Sequence, residues 1–169
     1  MFEHLTQYNK IIVSGPQRSG TTITARIIAR DTGYQYIDET DIAIRELTQF
    51  EAYLNNDDNL VIHCPAIAHK LHEYGNQAIL IVWCKRPLEA ILASQQRIAW
   101  GEQKERDSYR YKGKEPIAKV KQEYWQQYQR QLIKHWLEVD YSSLKDHPLW
   151  IEPEYRKEFE ARQWKTKPI

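Results

Sequence analysis

The sequence predicts an α/β fold in which helices cover both faces of a parallel sheet of about five strands. Two observations carry this prediction: short apolar runs alternate with amphipathic segments along the chain, and a glycine-bearing turn joins the first run to the first helix. The 169 residues suffice for one core and show neither repeat nor linker. We therefore treat 1–169 as a single domain.

The first part of the chain predicts two strands and two helices. Residues 11–14 (IIVS) form an apolar, β-branched run that is typical of a buried strand. A helical pattern begins near Ser19 and ends at Gly33. Residues 34–37 (YQYI) predict a second strand, and Asp41 is suited to cap a helix that runs to Leu54.

The middle of the chain repeats this alternation. Residues 60–63 (LVIH) predict a third strand, and 65–75 predict a short helix between Pro65 and Gly75. Residues 78–84 (AILIVWC) form the most apolar run and predict a central strand. A helix follows from Pro87 and ends at Gly101.

The last part of the chain is more polar. Residues 101–115 are charged and aperiodic, which predicts a loop or mobile lid. Pro116 begins a long amphipathic helix that reaches about His135, and the following WLEVDYS predicts a fifth strand. The C-terminal tail, 143–169, is rich in charge and predicts at most one short helix.

Composition excludes several classes of function. The formal net charge of +1 argues against a nucleic-acid-binding protein. Cys64 and Cys84 are the two cysteines and fit neither a disulfide framework nor a metal site, so a cytoplasmic location is expected. No apolar run reaches the length of a membrane span, and the N-terminus lacks a signal pattern. The oligomeric state cannot be read from the sequence.

The segment from Gly15 to Thr22 (GPQRSGTT) predicts a phosphate-binding loop. Gly15 and Gly20 have the glycine spacing of the P-loop, and Thr22 occupies its Ser/Thr position. Backbone N–H groups in such a loop and the N-terminus of the next helix attract anions. Thr21, however, stands where a kinase-type loop has lysine, and a tight turn without a ligand is the alternative interpretation.

A kinase also needs a magnesium site, which P-loop proteins commonly build from the loop Ser/Thr and an Asp at the end of another strand. The predicted third strand ends in VIHCP and the fourth in VWCKRP, without a carboxylate. We therefore expect no metal, and the missing lysine points the same way.

The loop resembles that of the sulfotransferases, which take a sulfuryl group from 3′-phosphoadenosine 5′-phosphosulfate (PAPS) and release adenosine 3′,5′-bisphosphate. By that resemblance Arg18 lies beside the sulfuryl group, and four loop residues hold the 5′-phosphate: Ser19, Gly20, Thr21 and Thr22. The segment from Asp38 to Thr40 (DET) follows the loop at the same offset as the E-E-T of tyrosylprotein sulfotransferases. It implies Glu39 as the catalytic base.

Two further segments extend the resemblance. VIHCP is similar to the K-T-H-L-P of cytosolic sulfotransferases, which makes His63 the second candidate for the base, although Val61 replaces the lysine. CKRPLEAILAS offers Arg86 and Ser94 at the spacing of the family's 3′-phosphate site, with Lys85 as a second contact. Each of these residues also has a non-catalytic interpretation. Glu39 could lie in a solvated turn, His63 could have a purely structural role, and Lys85 and Arg86 could be a surface basic pair that caps a helix.

The resemblance implies a P-loop α/β/α sandwich with sheet order 2-3-1-4-5. It also implies an enzyme that transfers sulfuryl from PAPS to a hydroxyl or amine on a small molecule, glycan or peptide. Two alternatives stay open. One is a P-loop nucleotide or small-molecule kinase that uses ATP–Mg, and the other is a nucleotide-binding module without catalysis.

Overall fold

The computed structural model describes residues 1–41, 47–75 and 78–150. The strands and the α-helices have the following bounds: β1 Lys10–Ser14, α1 Thr21–Thr32, β2 Gln35–Asp38, α2 Leu47–Asn55, β3 Leu60–His63, β4 Ile79–Lys85, α3 Leu88–Arg97, α4 Glu102–Ser108, α5 Ile117–Tyr124, α6 Arg130–Leu132 and β5 Trp136–Asp140. Short 3₁₀ segments cover Glu3–Gln7, Pro65–Ile67, Leu71–Tyr74 and Tyr141–Asp146, and a π-helical turn, Trp125–Gln129, joins α5 to α6.

The strands of this part of the chain form one parallel sheet of five, in the order β2-β3-β1-β4-β5. The predicted fold class and strand order are therefore confirmed. In the register, Val13 of β1 lies opposite His63 of β3, and His63 lies opposite Asp38 of β2. The carboxyl ends of β1, β2 and β3 therefore meet at one edge, where ligands of such sheets bind.

The side chains of β1 pack into two hydrophobic cores, one on each face of the sheet, because successive side chains of a strand point to opposite faces. Ile12 packs with α2 residues such as Phe50 and with Trp125 on one face. Ile11 and Val13 pack with α1 on the other face. Strands buried on both faces carry the near-continuous apolar runs that made them readable in the sequence.

The structure differs from the predictions in three segments. Residues 102–108 form α4, where a loop was expected, and i,i+4 pairs such as Glu102–Arg106 support this helix. Residues 65–75 form two 3₁₀ turns instead of one helix. The predicted helix 116–135 is interrupted by the π-helical turn. Of the tail, Tyr141–Asp146 is a 3₁₀ segment, and residues 151–169 lie outside the described part.

No helix within the described ranges is long and apolar enough to cross a membrane.

A buried hydrogen-bonded pair connects the end of the described chain to its beginning. His147 Nε2 lies 2.9 Å from Asp31 Oδ1 at the end of α1, with side chains 6% and 8% exposed. The Phe2 N–H donates to the other Asp31 oxygen at 2.8 Å. Burial acts to raise the pKa of Asp31, but the hydrogen bonds from His147, Phe2 and the N-terminal amine outweigh it and lower this pKa.

We expect Asp31→Ala to lower the free energy of unfolding at pH 7 by roughly 2–3 kcal/mol, because buried donors lose their charged acceptor. A carboxyl with a lowered folded-state pKa contributes stability above its unfolded pKa, and that contribution disappears as pH falls through the folded-state value. In urea unfolding, the difference in the free energy of unfolding between wild type and variant should therefore be smaller at pH 3 than at pH 7. Exposed Asp57→Ala is the matched control, and an equal loss there would contradict the prediction.

Candidate active site

The loop between β1 and α1 has the backbone of an anion site. Gly15, Arg18 and Gly20 have positive φ angles of 151°, 72° and 96°. Thr24 N–H donates to the Gly20 carbonyl at 3.0 Å, so the N–H groups of the first helical turn before it point out of the helix end. Ser19 is fully buried, and its hydroxyl has no hydrogen-bond partner within the described residues. The loop therefore presents donors for a phosphate group.

Neighbouring elements hold this loop from the side of β4 and β5. A Cβ atom at Gly20 would lie 2.3 Å from the ring of Tyr141, so only glycine fits there. The Arg86 guanidinium lies over the same ring at 4.3 Å and donates to the Arg18 carbonyl at 2.8 Å. Arg86, at the start of the segment after β4, thus positions the loop through its backbone.

The cation of the loop is held against α3. Arg18 Nε donates to the hydroxyl of Ser94 at 3.1 Å, and Ser94 is 3% exposed. Ser94 and Arg86, which the sequence predicts at one anion site, therefore both contact Arg18: Ser94 contacts its side chain and Arg86 its backbone carbonyl. Lys85, the alternative contact, pairs with Glu138 of β5 at 3.2 Å.

On the other side of the loop, a relay of side chains runs from β2 to α1. Asp38 Oδ2 lies 3.1 Å from His63 Nδ1, and His63 Nε2 lies 3.0 Å from the Thr21 hydroxyl and 3.4 Å from the Thr22 hydroxyl. Burial acts to raise the pKa of Asp38, but hydrogen bonds led by that from His63 hold this pKa well below its ordinary value. His63 is thus in contact with the loop, and Asp38 orients its ring.

Glu39 lies next to this relay. Its Oε2 accepts the backbone N–H of Ala66 at 3.0 Å, and the side chain is half-buried. Burial raises the pKa of Glu39 above its ordinary value, although the Ala66 N–H and the nearby His63 act to lower it. A carboxylate with a raised pKa is a better proton acceptor, which suits Glu39 to the role of a base. Both residues predicted as bases, Glu39 and His63, lie at the sheet edge that carries the loop.

A second polar cluster beside the loop, which we call the lid cluster, was missed in the sequence. It comprises Lys121, Glu105, Gln17 and Tyr109. The Lys121 side chain is 2% exposed, pairs with Glu105 of α4, donates to Gln17 Oε1 at 2.5 Å and lies 4.7 Å from the Tyr109 ring centroid. Burial lowers the pKa of Lys121, and Glu105 partly offsets this effect.

The signal for the lid cluster lay in the helical periodicity. Lys121 falls on the same helix face as Ile117, Ala118 and Trp125, which are all buried. A lysine on an apolar face needs a buried partner or a ligand. That pattern would have identified Lys121, but Glu105 sits in a segment that we predicted to be an aperiodic loop.

Comparisons with known proteins provide a structural neighbour. No protein-family model matches the chain, and no curated protein matches it. Among solved structures, the chain is similar to shikimate kinase from Acinetobacter baumannii in complex with shikimate, with a TM-score of 0.59 and 14% sequence identity. The match covers 95% of this chain and 96% of that chain. The chain therefore shares the parallel α/β fold of that structure.

This neighbour corrects the sulfotransferase interpretation. The predicted PAPS-dependent enzyme, its PAPS donor, its bisphosphate product and the expected absence of a metal are wrong, since the fold neighbour is a kinase. The physical reason is that a glycine loop at a helix N-terminus binds phosphate whichever group is transferred, so GPQRSGTT does not identify the donor.

Proposed function

We propose that the chain is a P-loop kinase that transfers the γ-phosphoryl group of ATP to a hydroxyl of a small molecule. The observation that carries the proposal is the loop from Gly15 to Thr22, which presents backbone donors at the same sheet edge as a candidate base, Glu39. The likeness of the whole chain to a kinase supports the choice of ATP as donor. Glycan and peptide acceptors and the absence of nucleic-acid partners remain predictions.

In the proposed reaction, Glu39 accepts the proton of the acceptor hydroxyl. The acceptor oxygen then attacks the γ-phosphorus in line, the bond to the β,γ-bridging oxygen breaks, and ADP leaves with that electron pair. The loop N–H groups and Arg18 stabilise the charge that grows on the phosphate oxygens. Lys121, through Gln17, keeps the first half of the loop in place.

The residues present fit a magnesium ion that arrives with the nucleotide. Among the described residues there is no cluster of three His, Cys, Asp or Glu side chains suited to a metal. Magnesium, however, commonly takes one or two protein oxygens together with phosphates and waters, and the Thr22 hydroxyl is such an oxygen. When bound, the ion would neutralise charge on the β- and γ-phosphates. Thr22 would hold it together with phosphate oxygens and water.

A nucleotide-binding module without catalysis is the second candidate. Thr21 in place of the loop lysine favours it, because that lysine reaches the β- and γ-phosphates in kinases. Turnover separates the two candidates, whereas binding alone does not.

Titration calorimetry tests the proposal. We expect ATP to bind, to bind more tightly when magnesium is present, and to bind more tightly than adenosine 3′,5′-bisphosphate. An assay of ADP release with a panel of small hydroxy compounds then tests catalysis. Shikimate is the first compound to include, because it is bound in the structural neighbour. Metal-independent preference for the bisphosphate would overturn the kinase proposal, and ATP binding without turnover on any acceptor would favour the module.

A further inference from the structure

We propose that the acceptor of this kinase is a neutral polyhydroxy compound, and that Tyr109 and His69 hold one of its hydroxyls while another faces Glu39. This inference rests on the proposed function, since it concerns the acceptor side of the same reaction. It gives a task to two buried polar atoms that no step of the proposed phosphoryl transfer uses.

The starting point is a pair of buried polar atoms outside the phosphate loop. The Tyr109 hydroxyl and His69 Nδ1 are both buried, and neither has a hydrogen-bond partner within the described residues. The two rings lie against each other, with their centroids 4.5 Å apart. Folded proteins pair nearly all of their buried polar atoms, so two neighbouring atoms without a partner indicate a place where a ligand completes the hydrogen bonds.

These atoms lie between Glu39 and the lid cluster. Glu39 accepts the backbone N–H of Ala66, three residues before His69 on the same segment. Tyr109 covers His69 from the end of α4, and its ring centroid lies 4.7 Å from Lys121 Nζ. Glu39 is close enough to act electrostatically on both Tyr109 and Lys121. A small molecule that contacts Tyr109 can therefore also reach the proposed base.

The backbone on both sides of the pair is held by hydrogen bonds. Fully buried Gln129 donates to the Ala68 carbonyl at 2.6 Å, next to His69. The Tyr109 N–H donates to the Glu105 carbonyl at 3.1 Å at the end of α4. The two side chains are therefore positioned before a ligand arrives, which reduces the entropy lost on binding.

The chemistry of the pair matches a hydroxyl group. Burial raises the pKa of Tyr109 and is the main cause that lowers the pKa of His69. Both side chains are therefore neutral near pH 7. A neutral phenol and a neutral imidazole can each donate or accept a hydrogen bond, and a hydroxyl group does both. The acceptor thus carries a second hydroxyl besides the one that faces Glu39.

The charges around the pair favour a neutral compound. Lys121 is paired with Glu105, so its charge is already compensated. Lys70 and Glu73 act on the histidine of the pair with opposite signs. Glu39 remains as a carboxylate at the site, so an anionic acceptor would be placed close to a like charge, whereas a neutral polyol would not.

Matched pairs of compounds test the charge of the acceptor. The pairs are glycerol with glycerate, glucose with glucuronate, and methyl shikimate with shikimate, and an assay of ADP release measures kcat/KM for each compound. In any pair that is phosphorylated, the neutral member should have the higher kcat/KM by about tenfold, as one unfavourable charge contact is avoided. An equal or higher kcat/KM for the anionic member would overturn the inference.

Tyr109→Phe tests the hydroxyl contact, because it removes only the atom without a partner. The kcat/KM for the best neutral compound should fall about tenfold, mainly through KM. In the absence of ligands the Tm should stay the same or rise, since a buried hydroxyl without a partner does not stabilise the fold. Tyr128→Phe is the matched control, because Tyr128 is 46% exposed, and it should change neither quantity. An unchanged kcat/KM in Tyr109→Phe, or a clearly lower Tm, would overturn the inference and leave the hydroxyl with a structural role.

The same measurements separate failure of this inference from failure of the proposed function. If the wild type does not bind ATP–Mg, the proposed function fails and the inference with it. If the wild type phosphorylates the anionic members best, the kinase stands and only this inference fails. If ATP–Mg binds and none of the six compounds is phosphorylated, the inference is overturned and the nucleotide-binding module is favoured.

Discussion

Glu39→Gln is expected to lower kcat by about a hundredfold to ten-thousandfold, which is the usual contribution of a general base. The amide keeps the size of the side chain and can still accept the Ala66 N–H, so the fold and nucleotide binding should persist. The measurement is a steady-state assay with the acceptor found by ADP release, together with the Kd of ATP–Mg. Exposed Glu89 on α3 provides the control substitution Glu89→Gln, which should leave kcat unchanged.

The pH profile adds a second readout for Glu39. A base must be deprotonated to act, and burial raises the pKa of this carboxyl. The acid limb of kcat/KM should therefore fall at a pH above the ordinary glutamate value, and Glu39→Gln should lose that limb. Near-normal kcat in the variant would exclude Glu39 as the base.

Lys121→Met is expected to have the largest effect on stability, lowering the free energy of unfolding by about 3–5 kcal/mol. Methionine fills much of the same volume, but Glu105 would be left as a buried carboxylate without its cation, because both side chains are less than a tenth exposed. Nucleotide affinity should fall as well, since Gln17 of the loop loses the Lys121 hydrogen bond. Urea unfolding and calorimetry measure the two effects.

Lys119 provides the matched control for this substitution. It lies on the same helix two residues earlier and pairs with Glu115 and Glu123, but its side chain is 38% exposed. Exposed pairs contribute about 1 kcal/mol or less, so Lys119→Met should be nearly neutral. An equal loss of unfolding free energy in the two variants would contradict the prediction that the Lys121–Glu105 pair is important for stability because it is buried.

The sheet was predictable because its strands are buried on both faces and therefore form near-continuous apolar runs. The carboxyl-edge placement of His63 and Glu39 followed from this, since each ends or follows a parallel strand. The helix within residues 101–115 was harder to predict because α4 is short and lacks an apolar stripe. It is stabilised instead by contacts of Glu102 with Arg106 and with the Ile117 N–H.

The choice of donor failed for a different reason. A loop of eight residues determines how phosphate is bound but not whether sulfur or phosphorus is attacked, and the segments from 38–40 and 63–65 are too short to add that information. The sequence also could not predict the hydrogen-bond partner of Ser94, because Arg18 lies 76 positions away along the chain. Such contacts follow from how α3 packs beside the loop and not from local spacing.

The left-handed backbone conformation of Arg18 implies a trade-off between thermal stability and ligand affinity at this position. A non-glycine residue in that region costs about 1–2 kcal/mol relative to one without a Cβ atom. A sequence optimised only for heat resistance would therefore place glycine at position 18 and discard the guanidinium. Stabilising this fold for practical use should accordingly begin elsewhere, at the surface of α3 or α5, and leave this strained residue as it is.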